Sequence, residues 1–161
     1  LRQDAAKLDV VTQVTGERTT VTVTVHSLVP HNLPTTHPGW VSVVLDLSFK
    51  GKNLKTVFHD QRVYGRTYAD AKGEPTVFDF KAVQVLKDTV LKPEETRREI
   101  FTFPTPKDTR SFDVEVSLNY APVTGPPAFL QRIEAESTKG AQDPVFQPIP
   151  IVSRVENIPL R

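Results

Sequence analysis

The chain has 161 residues, 38% of them apolar and 24% charged, with a formal charge of +1. That length suits one domain, which buries roughly 70% of its unfolded surface without covalent staples, and the near-neutral balance argues against nucleic acid as a partner. The absence of cysteine excludes disulfides, thiol nucleophiles, Cys-based zinc sites and covalent haem attachment through Cys-x-x-Cys-His.

No run approaches the ~20 apolar residues of a membrane helix, so no membrane span is expected. Leu1-Arg2-Gln3-Asp4 opens no signal-peptide core. A start at Leu and the lack of Met fit a processed chain, from which an extracytoplasmic location, periplasm or cell surface, is expected.

From Leu8 to Val14 and from Thr19 to Leu28, apolar residues and Thr alternate, with Val21, Val23 and Val25 on one face and Thr20, Thr22 and Thr24 on the other. Period two means strand, and Gly16-Glu17 between the runs predicts a hairpin. The stretch Val29 to Trp40 then carries two of the four histidines, three prolines and the single tryptophan, and reads as a stiff exposed loop. Val41, Val43, Leu45, Leu47 and Phe49 alternate in the clearest half-buried strand, which Lys50–Asn53 turns into Leu54–His59. Asp60–Thr76 reads as an irregular crossing between sheets, followed by strands at Val77–Lys87, Arg97–Phe103 and Phe112–Tyr120 and a turn around Pro93.

Pro127–Glu136 is the helix candidate, with proline in its first turn and a stripe of Phe129, Leu130 and Ile133. After it, Pro144, Pro148, Pro150 and Pro159 interrupt an apolar segment that is too proline-rich for a helix or a central strand. The expected architecture is all-β: an antiparallel, immunoglobulin-like (Ig-like) β-sandwich over residues 1–141 with one short C-terminal helix. An extended, Pro-rich C-terminal arm over 142–161 would lie on something apolar, of this chain or another.

Enzyme signatures are missing: there is no Gly-x-Ser-x-Gly elbow, phosphate-binding Gly-Lys-Ser/Thr loop, His-Glu-x-x-His or EF-hand pattern. Asp60, Asp70, Glu94, Glu95 and Glu99 fall in turns or at strand ends and read as solvated. A protein that is not an enzyme is therefore expected. The residues left with chemistry are His26, His31, His37 and His59, because a neutral imidazole ligates transition metals and haem iron when a stiff support holds it. Pro30, Pro34 and Pro38 supply stiffness around His31 and His37; ordinary exposed loop histidines are the plain alternative.

The order of features matters. Val-Pro-His-Asn-Leu-Pro-Thr-Thr at 29–36, Val57-Phe58-His59, Arg62-Val63-Tyr64, Asp88-Thr89-Val90-Leu91-Lys92-Pro93-Glu94-Glu95-Thr96 and Val114-Glu115-Val116-Ser117-Leu118-Asn119-Tyr120 follow one another. In that order they resemble the β-sandwich domain that follows the haem-bearing part of many multihaem c-type cytochromes. Such domains carry a Gly-His-x-hydrophobic-Pro-Thr-Gly loop, a Leu-x-Pro-Gly-Glu-Thr turn and a Val-x-Val-x-Leu-x-Tyr strand. The match covers about residues 19 to 135. Here Pro30 stands before the histidine, Thr36 replaces the glycine after Thr35, and no Cys-x-x-Cys-His exists.

The resemblance implies a non-catalytic β-sandwich subunit or domain of a multihaem electron-transfer assembly. It would pack against haem c of a partner chain, a multihaem cytochrome, as a hetero-oligomer or within a filament. Cofactor contacts fall to His31, His37 and His59, with His31, in the motif position, as the metal ligand to iron. Two other readings stay open: an extracellular binding or adhesion module of sandwich type, and a small His-based metal-binding protein.

Overall fold

The computed structural model describes residues 4–35, 39–51, 56–107, 110–124, 127–137 and 147–160. Two antiparallel sheets pack across one core. The first has the order β1 (Ala6–Thr15), β2 (Arg18–Ser27), β8 (Thr96–Pro104); the second runs β10 (Ile149–Pro159), β9 (Ser111–Ala121), β3 (Ser42–Lys50), β4 (Thr56–Tyr64). A small third sheet, β6 (Pro75–Thr76), β5 (Arg66–Ala69), β7 (Gln84–Asp88), and helix α1 (Pro127–Glu136) complete the chain. This is the all-β sandwich expected from the alternation.

Period two does what it should. Val21, Val23 and Val25 of β2, Val43, Leu45, Leu47 and Phe49 of β3, and Phe112, Val114, Val116 and Leu118 of β9 are all buried. The β3–β9 register sets Leu45 opposite Leu118 and Leu47 opposite Val116, so large side chains meet directly across the ladder. The expected hairpin pairs Leu8 with Val25 and Thr15 with Arg18.

Two segments differ from the expectation, and the C-terminal one finds its place on this chain. β4 continues through Asp60 to Tyr64, where an irregular crossing was expected. Its inward positions Phe58, Asp60, Arg62 and Tyr64 lie opposite Phe49, Leu47, Leu45 and Val43. Two of the four are charged, which hides the alternation. Arg62 Nη1 donates to Asp60 Oδ2 at 2.9 Å, and the guanidinium lies 4.3 Å above the Phe101 ring; inward charges of this kind also guard an edge strand against stray pairing. Val77–Lys87 is not one strand: a 3-10 turn at Asp79–Lys81 breaks it, with the Asp79 carboxylate accepting the Phe80 amide at 2.9 Å. The C-terminal segment is the edge strand β10, laid antiparallel on β9 of this same chain, with Ile151 buried and the register shifting between Pro150 and Val152. An edge with a bulge is where a strand tolerates proline.

The core changes character along its length. At the end holding the β1–β2 and β3–β4 turns, Phe49, Phe58, Phe103 and Phe112 pack ring against ring at 4.6 to 6.4 Å between centroids. At the opposite end the inward side chains of β4 and β8 are Arg62, Tyr64, Arg97 and Glu99.

Candidate functional site: the loop end of the sandwich

The chain leaves β2 at Ser27 and enters the histidine loop. Its course is fixed by backbone pairing: Leu33 and Leu91 exchange two hydrogen bonds, at 2.9 and 3.0 Å, and both side chains are buried. The Ser27 amide donates to the Glu95 carbonyl at 2.8 Å and the Glu94 amide to the Val29 carbonyl at 3.3 Å. Segment 88–95 is thus the splint of the histidine loop.

That splint is itself built from a turn and a cation. In Lys92-Pro93-Glu94-Glu95, Glu94 has φ 55° and the Glu95 amide donates to the Lys92 carbonyl at 3.2 Å. A left-handed residue after proline is the type II arrangement, which favours glycine; the glycine of the resembled turn corresponds to Glu94. Arg97 reaches back along the turn. Its guanidinium donates to the Thr89 carbonyl at 2.6 Å, the Val90 carbonyl at 3.1 Å and the Glu95 carboxylate at 2.8 Å, and lies 5.2 Å from the Tyr64 ring centroid. Thr89 Oγ1 donates to the Val63 carbonyl at 3.0 Å, which joins β4 to the same knot. Three of the stretches that carry the resemblance, 29–36, 62–64 and 88–96, converge here.

The electrostatics follow from this packing. Burial disfavours the charged form of Glu95, but the Lys92 amide and the Arg97 guanidinium outweigh it and hold its carboxyl below the ordinary value. Tyr64 is pushed upward, first by burial and then by the Glu99 carboxylate that its hydroxyl reaches at 3.3 Å. Glu95 and Glu99, read from the sequence as solvated, are partly buried. Arg97 and Glu99 share the phase of buried Phe101 and Phe103, and that phase is the signal that marks them as inward.

His31 is exposed at the tip of the loop. Its Nδ1 lies 3.1 Å from the Asn32 carbonyl and 3.4 Å from Thr35 Oγ1. A carbonyl only accepts, so Nδ1 carries the proton and the neutral ring keeps its lone pair on Nε2. Nε2 has no partner among the described residues. A ring oriented through one nitrogen, with the other free, is the form in which histidine ligates a metal.

The other histidines are elsewhere. His37 lies outside the described residues. His59 is on the outer face of the four-stranded sheet opposite Ser48, its Nε2 3.2 Å from Asp46 Oδ1, and Asp46 in turn accepts from Asn119 at 3.1 Å. His26 is on the outer face of the other sheet, between Asp9 at 2.8 Å and Thr96 Oγ1 at 3.1 Å; Lys7 and then His26 hold the Asp9 carboxyl below its ordinary value. His26, His31 and His59 therefore occupy three separate surfaces. Among the described residues no group of three or more His, Cys, Asp or Glu is placed to hold a metal ion.

No family model matches the chain, and no curated protein matches it. A solved multihaem cytochrome shares the fold. The penta-haem cytochrome c552 of Thermochromatium tepidum superposes over 97% of this chain with a TM-score of 0.77 and 21% identity. The chain spans 40% of that cytochrome's length. At that identity the likeness is one of fold, and it agrees with the architecture that the motif resemblance implied. A second solved structure, the Northeast Structural Genomics Consortium target SoR45, aligns over 98% of this chain and 89% of its own at 11% identity, with a TM-score of 0.46. Among the described residues no helix is long and apolar enough to cross a membrane.

Proposed function

We propose that this chain is a non-catalytic β-sandwich portion, as subunit or domain, of an extracytoplasmic multihaem c-type cytochrome assembly, with its loop end toward haem held elsewhere. The observation that carries the reading is the likeness of nearly the whole chain, 97% of it, to the fold of a penta-haem cytochrome. The loop end supports it chemically. With no cysteine in the sequence, the haem would be attached to another chain or to the rest of a longer polypeptide. When bound, a c-type haem supplies one-electron chemistry at its iron.

This chain's own residues hold and orient. The Leu33–Leu91 bridge and the Arg97 knot fix the loop, the Asn32 carbonyl keeps the His31 proton on Nδ1, and Nε2 is the atom offered to an iron. His59, tied to Asp46, serves the sheet surface in this reading.

The test is isolation from the native source without denaturant, followed by a visible spectrum and a haem-stained gel. The expected result is a c-type spectrum, with the haem stain on a co-purifying chain or on a longer polypeptide that contains this sequence. A colourless preparation of the chain alone contradicts the proposal and favours a sandwich-type binding module.

A further inference from the structure

Next to the loop end, an open groove of about 460 Å³ runs between the outer face of the four-stranded sheet and the small third sheet. Clefts of ~300–1,000 Å³ are the size that small ligands occupy. The register builds it: Val44 and Val63 face each other across β3 and β4, with Gln61 one step along, and Thr67 of β5 lies opposite Lys87 of β7. Val44 and Val63 give the floor an apolar patch, flanked by Gln61 on the same sheet and by Thr67 and Lys87 on the third sheet.

The charges in the lining are one-sided. Among the described residues, Arg66 and Lys87 line the groove and no Asp or Glu does. Arg66 Nε is engaged by Asp88 at 3.0 Å, outside the lining. The Lys87 ammonium, the Gln61 side-chain amide and the Thr67 hydroxyl have no hydrogen-bonding partner among the described residues. All three side chains are exposed, so they can exchange water for a ligand; a free cation and two free donors beside apolar Val44 and Val63 match a ligand with an apolar body and an anionic oxygen edge.

We infer that this groove binds a carboxylate-bearing apolar ligand, and specifically the propionate edge of a porphyrin. The choice of porphyrin rests on the function proposed above; the carboxylate specificity rests on the groove alone. Lys87 pairs with a carboxylate, Gln61 and Thr67 donate to its oxygens, and Val44 and Val63 take the ring edge. The site is separate from His31, so an edge held here needs no iron ligand from this chain.

The probe is mesoporphyrin IX without metal, which carries both propionates but gives His31 nothing to ligate. Trp40, the single tryptophan, follows the lining residue Gly39 in the chain and supplies the fluorescence readout. Titration should quench Trp40 saturably. Lys87→Glu and the porphyrin dimethyl ester should each weaken binding by about tenfold or more, the loss of one charge-assisted hydrogen bond. Lys87→Arg, Lys81→Glu outside the groove, and His31→Ala should leave it unchanged.

Equal binding of the dimethyl ester, no saturable quenching, or indifference to Lys87→Glu overturns the inference. Competition by succinate at concentrations equal to the porphyrin assigns the site to small free carboxylates and overturns the porphyrin assignment. Because the probe holds no iron, a negative result here leaves the haem stain of the native preparation as an independent test of the proposed function.

Discussion

At the hairpin end of the sandwich Phe49, Phe58, Phe103 and Phe112 fill the interior ring against ring, whereas at the loop end the inward positions of β4 and β8 carry Arg62, Tyr64, Arg97 and Glu99. Both ends close the same two sheets, yet they do different work. Apolar packing is non-directional and adds stability wherever the volume is filled. Buried polar groups add little net stability, but each donor demands a particular acceptor. One end therefore holds the sheets together, and the other sets where the 28–35 and 88–95 segments lie.

Removing a ring from the first end breaks the comparison most strongly. Phe103 is buried and touches three other rings, so Phe103→Ala should cost about 3–5 kcal/mol in urea unfolding. Amide exchange should then rise throughout both sheets. At the loop end, Arg97→Ala strips a donor from the Glu95 carboxylate and from the carbonyls of Thr89 and Val90, at a cost of about 2–3 kcal/mol. Its signature should be local: the Leu33 and Leu91 amides should exchange faster while those of Val23 and Val116 change only with global stability.

Acid should sharpen the contrast. The folded carboxyl of Glu95 lies below its ordinary 4.5 and those of Asp60 and Asp88 below their ordinary 3.8. Their contribution is complete above the unfolded values and is lost as pH falls through the folded ones. Urea midpoints should therefore drop below pH 4.5, less steeply in Arg97→Ala, and with an unchanged slope in Phe103→Ala. Tyr64 runs the other way: its folded value is raised above 10.0, so its contribution is lost as pH rises past 10.0. The smallest expected change is a gain. Glu94 holds φ 55°, and Glu94→Gly should add about 0.5–1 kcal/mol, read as a higher melting temperature.

The sandwich was legible where a strand has one buried and one wet face. β2, β3 and β9 show this over several alternations, so their cores follow from Val21–Val25, Val43–Phe49 and Phe112–Leu118. The second half of β4 was hidden because Asp60 and Arg62 point inward as an ion pair. The third sheet was hidden because β5 and β6 have four and two residues, too few for a period to appear. β10 was disguised by prolines that its edge position tolerates.

Within the candidate site, the exposed loop position of His31 was legible through the prolines around it. Its loop is also held by Leu33 pairing with Leu91, a contact across 58 positions that no local pattern encodes. His59 had the same chemistry by residue type alone. Its place opposite Ser48, whose neighbours Leu47 and Phe49 face the core, puts it on the outer face and in the hold of Asp46.

The most direct test of the proposed role is a His31→Ala variant of the native assembly, followed by electron paramagnetic resonance and by the visible spectrum. The expected result is the loss or shift of one low-spin haem signal, with urea stability within about 0.5 kcal/mol of the parent. An unchanged set of haem signals in a folded, haem-loaded assembly contradicts His31 as a ligand.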